Sequence, residues 1–179
     1  MPLIWSHAVL HVDDLDNMLD FYTKVLGFAV TDRGPVGESD SEIAFLSQDP
    51  GEHHQLGFIS TKRAETAQGA LHHLAFRVGG LPELRALIAS IVADGRGRPP
   101  APMSHGNTWS AYFADPEGNG VEIFCDTPWH VPQPAGRVWD MTHDDATLVE
   151  QTKAAFASQP GFAPGDSYRE ARRRVGDAT

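Results

Sequence analysis

His7-Ala-Val-Leu-His-Val-Asp-Asp-Leu15 and His73-Leu-Ala-Phe-Arg-Val-Gly-Gly-Leu81 decide how this chain folds. Laid one on the other, they place His7 on His73, Val12 on Val78 and Leu15 on Leu81 at one constant spacing. Carried further, the same spacing sets Asp49-Pro50 on Asp115-Pro116 and Phe58 on Phe124. A spacing that persists this far marks a duplicated unit. The copies run over about residues 3–61 and 70–126, joined by the polar segment 61–70 (TKRAETAQGA).

Each copy begins with an alternating run, Ile4–Val12 or Leu71–Val78, whose period of two predicts a strand. A helix follows. In the first copy Asp13 or Asp14 caps it, Leu15, Met18, Leu19, Tyr22, Val25 and Leu26 recur at helical spacing, and Gly27 ends it. In the second, Pro82 occupies the first turn, Leu84, Leu87, Ile88, Ile91 and Val92 form the stripe, and Gly95 ends it. Three further strands are predicted in each: Phe28–Arg33, Glu42–Ser47 and Gln55–Ile59, then Ala101–Ser104, Thr108–Ala114 and Gly120–Cys125. The expected fold class is therefore α+β, with two tandem βαβββ modules forming a shared metal cleft and a helical C-terminal tail. The expected domains are 1–134, holding both modules, and an extension at 135–179.

The 179 residues suffice for one compact core, since chains of roughly 150 residues bury about 70% of their unfolded surface. A hydrophobic content of 41% excludes a disordered or fibrous chain. The net charge of −10 makes nucleic acid and anionic membranes poor partners. The single cysteine, Cys125, allows no internal disulfide, and neither a signal peptide nor a membrane-length apolar run is read, so a cytoplasmic protein is expected. Nine histidines against one cysteine direct attention to imidazole chemistry.

His7 and His73 hold equivalent places early in the first strand of each copy. If the copies pack about a pseudo-twofold axis, the two imidazoles converge. Glu122, between Val121 and Ile123 in the last strand of copy two, is a carboxylate that is costly to bury unless paired or metal-bound. Two imidazoles and one carboxylate with open positions suit non-haem Fe(II), and Mn(II) also fits the set. His11 competes with His7 for this role, but its equivalent is Arg77, which binds no metal; His72 points away from the His73 face. The residue equivalent to Glu122 in copy one is expected to be Leu56, or Gln55 with a one-residue slip. Leucine there leaves a fourth ligand position empty.

Several segments resemble the vicinal oxygen chelate (glyoxalase/bleomycin resistance/dioxygenase) superfamily: His7 to Leu15 followed by Phe21-Tyr22 and Val25-Leu26-Gly27-Phe28, and Asp115-Pro-Glu-Gly-Asn119 leading to Glu122. Within it, Glu52-His-His-Gln-Leu56, His72-His-Leu-Ala-Phe76, His105-Gly-Asn-Thr108 and Tyr112-Phe-Ala-Asp-Pro116 are similar to the short, single-domain type I extradiol ring-cleaving dioxygenases. The resemblance covers about residues 3–134. It implies Fe(II)-dependent cleavage of a catechol with incorporation of O2, as in aromatic hydrocarbon catabolism. It also implies His7, His73 and Glu122 as iron ligands, His54 as the acid–base, and Tyr112 and His105 as hydrogen-bonding partners of bound substrate. A homo-oligomer is expected. Two alternatives stand beside this reading: a glyoxalase-like metal-dependent lyase or isomerase, and a non-catalytic protein that binds an aromatic drug.

Beyond the modules, Trp129 in a proline-rich segment is expected to roof the cleft or clamp the other module. Thr142 or Asp144 caps a helix to about Ala157, with Ala146, Val149, Lys153 and Phe156 as its stripe, and Asp166–Arg174 reads as a last basic helix. A solvated arm or a subunit contact is the expected role of this tail. Phe45, Trp109 and Phe113 line an aromatic pocket or pack in the core.

Overall fold

Two βαβββ modules and a packed tail make up the computed structural model, which describes residues 5–36, 40–61, 71–167 and 170. The first module runs β1 (Ala8–Val12), α1 (Leu15–Lys24), β2 (Ala29–Pro35), β3 (Glu42–Ser47) and β4 (Leu56–Ser60). The second runs β5 (Leu74–Arg77), α2 (Leu81–Asp94), β6 (Arg98–Ser104), β7 (Thr108–Ala114) and β8 (Gly120–Asp126). Their sheets have the same strand order, β1-β4-β3-β2 and β5-β8-β7-β6, and in each the first strand runs parallel to the last. A parallel pair needs a long crossover, and here the helix and two intervening strands supply it. The duplication read from sequence is thus a duplication of topology.

The chain forms two compact units. One contains residues 1–72, 94–98 and 114–119; the other contains 73–93, 99–113 and 120–179. In the first, Asp14 caps α1 by accepting from the Asn17 amide, and Gly27 closes the exit at φ +77°. The helix buries Leu15, Met18, Leu19, Phe21 and Tyr22, and the Tyr22 ring meets Phe58 of β4 edge-on at 4.8 Å. The β7–β8 turn also belongs to this unit. Its Asp115 is fully buried and accepts from the Asn119 side chain, the Glu117 and Asn119 amides and the Tyr22 hydroxyl. Burial raises the Asp115 carboxyl above its ordinary range, and these hydrogen bonds oppose the rise. Glu117 of the same turn accepts from the Asp13 and Asp14 amides at the start of α1. Gly97, at φ +71°, lies against the turn so closely that a Cβ would stand 2.1 Å from the Ala114 carbonyl oxygen.

In the second unit α2 buries Leu81, Leu84, Ile88 and Ile91. Leu81, not Val92, completes the stripe; Val92 is exposed. β6 begins three residues earlier than expected and includes Pro99 and Pro100. It tolerates them because it is the edge strand. The tail is no solvated arm. Asp144 caps α3 (Asp145–Phe156), which buries Leu148, Thr152 and Phe156; Ala146 and Lys153 of the expected stripe are exposed. The Trp109 indole donates to the Thr152 hydroxyl, the Trp139 indole donates to the Ser110 carbonyl, and Arg85 of α2 pairs with Asp145. Trp109 and Phe113 are core residues, 3% and 1% exposed. β9 (Trp129–His130) pairs with β10 (Ala163–Pro164), and the Trp129 ring meets Phe162 at 5.3 Å and Lys153 Nζ at 5.5 Å within the tail. Most of the expected helix 166–174 lies outside the described residues.

Candidate functional site

The six residues singled out by sequence fall into two clusters, one in each unit. His7 and His73 both stand one residue before their strands, not within them, so their equivalence holds while the strand assignment shifts. In the first unit, His7 Nδ1 is 3.0 Å from Ser6 Oγ, and its ring centroid is 4.2 Å from that of His54. His54 occupies the loop before β4 and lies over Phe45 of β3 at 4.6 Å. Burial lowers its pKa below the ordinary imidazole value, and the neighbouring His7 and His53 lower it further. The ring is thereby kept a neutral base. His11 points to a different partner, with Nδ1 3.2 Å from Thr61 Oγ1.

In the second unit, His73 Nε2 stands 3.2 Å from Glu122 Oε2. Glu122 is only 8% exposed, which answers the expectation of a buried, paired carboxylate. Tyr112 of β7 lies edge-on to His73 at 5.4 Å, with the Glu122 carboxylate near its hydroxyl. Burial first, and that carboxylate second, raise the phenol above its ordinary value, so Tyr112 stays protonated. His105, at the β6–β7 turn, places Nε2 3.0 Å from the Tyr112 hydroxyl, and its Nδ1–H donates to the Ala135 carbonyl at 2.6 Å. With the proton on Nδ1, a neutral His105 accepts from the Tyr112 hydroxyl at Nε2, so a hydrogen-bonded path runs from Tyr112 through His105 to the Ala135 carbonyl. The Ala135 end was invisible in the sequence, because a carbonyl in the tail carries no residue signature. Cys125 is excluded as a nucleophile or thiolate ligand: it is 1% exposed and burial pushes its thiol up to about 11.

Strand register corrects the expected fourth position. β1 pairs Val9 with Gly57, while β5 pairs Ala75, the equivalent of Val9, with Glu122. The residue equivalent to Glu122 is thus Gly57, not Leu56 or Gln55; copy two is one residue shorter between its first and last strands. The consequence for chemistry stands, since glycine offers no donor.

The donor set can be tested for a metal. In neither unit do three or more His, Cys, Asp or Glu side chains among the described residues group to hold one, and the predicted trio is divided, His7 in one unit and His73 with Glu122 in the other. Within the second unit the fit is good. Donor atoms 3.2 Å apart match adjacent ligands on a first-row ion with bonds of about 2.0–2.2 Å.

The profile of the Glyoxalase/Bleomycin resistance protein/Dioxygenase superfamily matches residues 5–123, and the chain belongs to that superfamily. It is 29% identical over 126 residues to biphenyl-2,3-diol 1,2-dioxygenase 2 of Rhodococcus globerulus, covering 68% of this chain and 62% of that enzyme. It is 30% identical over 131 residues to a probable lactoylglutathione lyase of Vibrio cholerae, covering 69% of this chain and 91% of the relative. The fold is shared with a glyoxylase/bleomycin resistance protein/dioxygenase domain from Frankia, at a TM-score of 0.57 and 23% identity over 70% of this chain and 93% of that one. The alignment thus spans less than two thirds of the length of the biphenyldiol enzyme. No helix among the described residues is long and apolar enough to cross a membrane.

Proposed function

We propose that this chain is an Fe(II)-dependent extradiol dioxygenase that opens the ring of a catechol beside its two hydroxyls, placing both atoms of O2 in the product. His7, His73 and Glu122 are the iron ligands, residues 1–134 are the catalytic domain and 135–179 an extension that supports it. The observation that carries this reading is the glycine at the place equivalent to Glu122: two imidazoles and one carboxylate leave positions for a chelating substrate and O2. The similarity to a biphenyldiol dioxygenase supports it.

Bound Fe(II) would acidify the catechol hydroxyls and bring O2 beside the ring. His54, held neutral, accepts the proton of the second hydroxyl and later returns one to oxygen. Tyr112, held protonated, donates to negative oxygen as the ring opens, a contact worth about 3 kcal/mol in such settings. His105 orients the Tyr112 hydroxyl, and the Ala135 carbonyl fixes the His105 ring.

A second reading, a metal-dependent lyase, is favoured by one observation: the Vibrio relative is matched over nearly its whole length. One experiment separates them. The protein is reconstituted anaerobically with Fe(II), mixed with a panel of catechols and opened to air. Oxygen uptake with a yellow product supports ring cleavage. Zinc- or nickel-dependent turnover without oxygen uptake supports the lyase, and bound aromatic ligand without turnover supports a binding protein.

A further inference from the structure

We propose that Asp32 and His53 are positioning residues that fix the ring tautomer of His54, leaving its Nε2 as the bare, proton-accepting nitrogen. The inference rests on the reading of His54 as the acid–base given above.

The backbone delivers Asp32 to this place by an irregularity. β2 and β3 pair Val30 with Leu46, but then Asp32 with Phe45, so Thr31 is an extra residue in the ladder. Such a bulge turns the side chains that follow it to the other face. Residues directly opposite across two strands share a face. Asp32 therefore joins the face of Phe45, whose ring lies 5.7 Å from His53 and 4.6 Å from His54. In unbroken register Thr31 would oppose Phe45, and the carboxylate would point away.

The order of protons follows from what each atom can do. An ionised carboxylate only accepts, so His53 Nε2–H donates to Asp32 Oδ2 at 2.8 Å. A neutral His53 then carries its lone pair on Nδ1. That atom is 2.9 Å from His54 Nδ1, with the two rings at 90°. Two ring nitrogens bond only as one N–H and one lone pair, so His54 Nδ1–H is the donor. His54 Nε2 is left without a proton. A neutral imidazole side chain in water prefers the opposite form, with the proton on Nε2. The arrangement follows the logic of a carboxylate orienting a histidine through its far nitrogen, extended by one further imidazole. Neither Asp32 nor His53 touches substrate in this scheme.

Asp32 and His53 have side chains 71% and 56% exposed, so their replacement leaves the core intact. The test uses full-length, metal-free protein labelled with 15N-histidine, with long-range 1H–15N correlation at about pH 8, above the ordinary imidazole range. In the wild type His54 is expected to show a protonated Nδ1 and an unprotonated Nε2. In His53→Phe and in Asp32→Ala, it is expected to move to a mixture weighted toward Nε2–H, and Asp32→Glu is expected to retain the wild-type pattern. In the kinetic assay both disrupting variants should lower kcat for a catechol about 10–100-fold with little change in KM. A wild-type His54 protonated on Nε2, or an unchanged tautomer in His53→Phe, overturns the inference. If the wild type turns over no catechol, the proposed function fails, while the nitrogen spectrum still decides the role of Asp32 and His53.

Discussion

Gly57→Glu would install a carboxylate at the position equivalent to Glu122 and so fill the place argued to be open. The structure sets the steric cost. A Cβ at Gly57 would lie 3.1 Å from Val9 Cγ2 and 3.5 Å from Phe45 Cδ1. Val9 is 43% exposed and its side chain can give way, at about 0.5–1.5 kcal/mol for a displaced rotamer. Replacing a glycine inside a strand returns about 0.5–1 kcal/mol. The metal-free variant should therefore keep its stability within about 1 kcal/mol of the wild type. With iron bound, a fourth protein donor adds a charge-assisted contact of about 1.5–3 kcal/mol, equivalent to about 10–100-fold tighter Fe(II). Oxygen uptake with catechol should fall at least about tenfold, because a protein oxygen would hold a position needed by substrate or O2. Urea unfolding, anaerobic Fe(II) competition against a chelator and an oxygen electrode measure the three quantities. Unchanged Fe(II) affinity together with unchanged oxygen uptake would refute the reasoning, for then this strand position does not face the metal.

Glu122→Gln should abolish stoichiometric Fe(II) binding by metal analysis, and in ultraviolet titration it should bring the Tyr112 phenol part of the way down toward 10.0, since burial, the larger cause, remains. The acidic limb of kcat/KM should fall below pH 6.5, because His54 has its pKa lowered in the folded chain. By the same sign the unfolded chain takes up that proton first, so the contribution of His54 to stability is present above pH 6.5 and is lost as pH falls below 6.5 through its lowered folded value, and His54→Gln should flatten this part of the stability profile. Gly97→Ala forces a side chain into the left-handed region, at about 1–2 kcal/mol, and against the Ala114 and Asp115 carbonyls, about 1–3 kcal/mol more; denaturant unfolding within about 0.5 kcal/mol of the wild type would contradict the packing described for that turn.

The duplicated topology was legible because it is written in local periods: alternation in β1 and β5, helical spacing and a closing glycine in α1 and α2. Glu42–Ser47 and Thr108–Ala114 emerge with the bounds their composition predicts. The pairing of Glu122 with a histidine was also legible, since a carboxylate between Val121 and Ile123 needs a partner. What could not be read were features fixed by tertiary register. Gly57 is the equivalent of Glu122 only once β1 is paired with β4, and Asp32 reaches His53 only through the irregularity at Thr31. The face of α3 was misread for a related reason. Thr152 looks polar, but inside the unit its hydroxyl accepts from the Trp109 indole, so it is buried with Leu148 and Phe156. Trp129 in its proline-rich segment was read as roofing the cleft or clamping the other module, whereas the β9–β10 pairing sets it against Phe162 of the tail, a contact that needs the register of two distant strands.

The most direct test is an anaerobic crystal structure of the Fe(II)-loaded protein, with the metal located by iron anomalous scattering. The account predicts a single iron bonded to His7, His73 and Glu122, with the remaining positions held by water or an added catechol. An iron bound elsewhere, or one whose coordination is closed by further protein side chains, would contradict it.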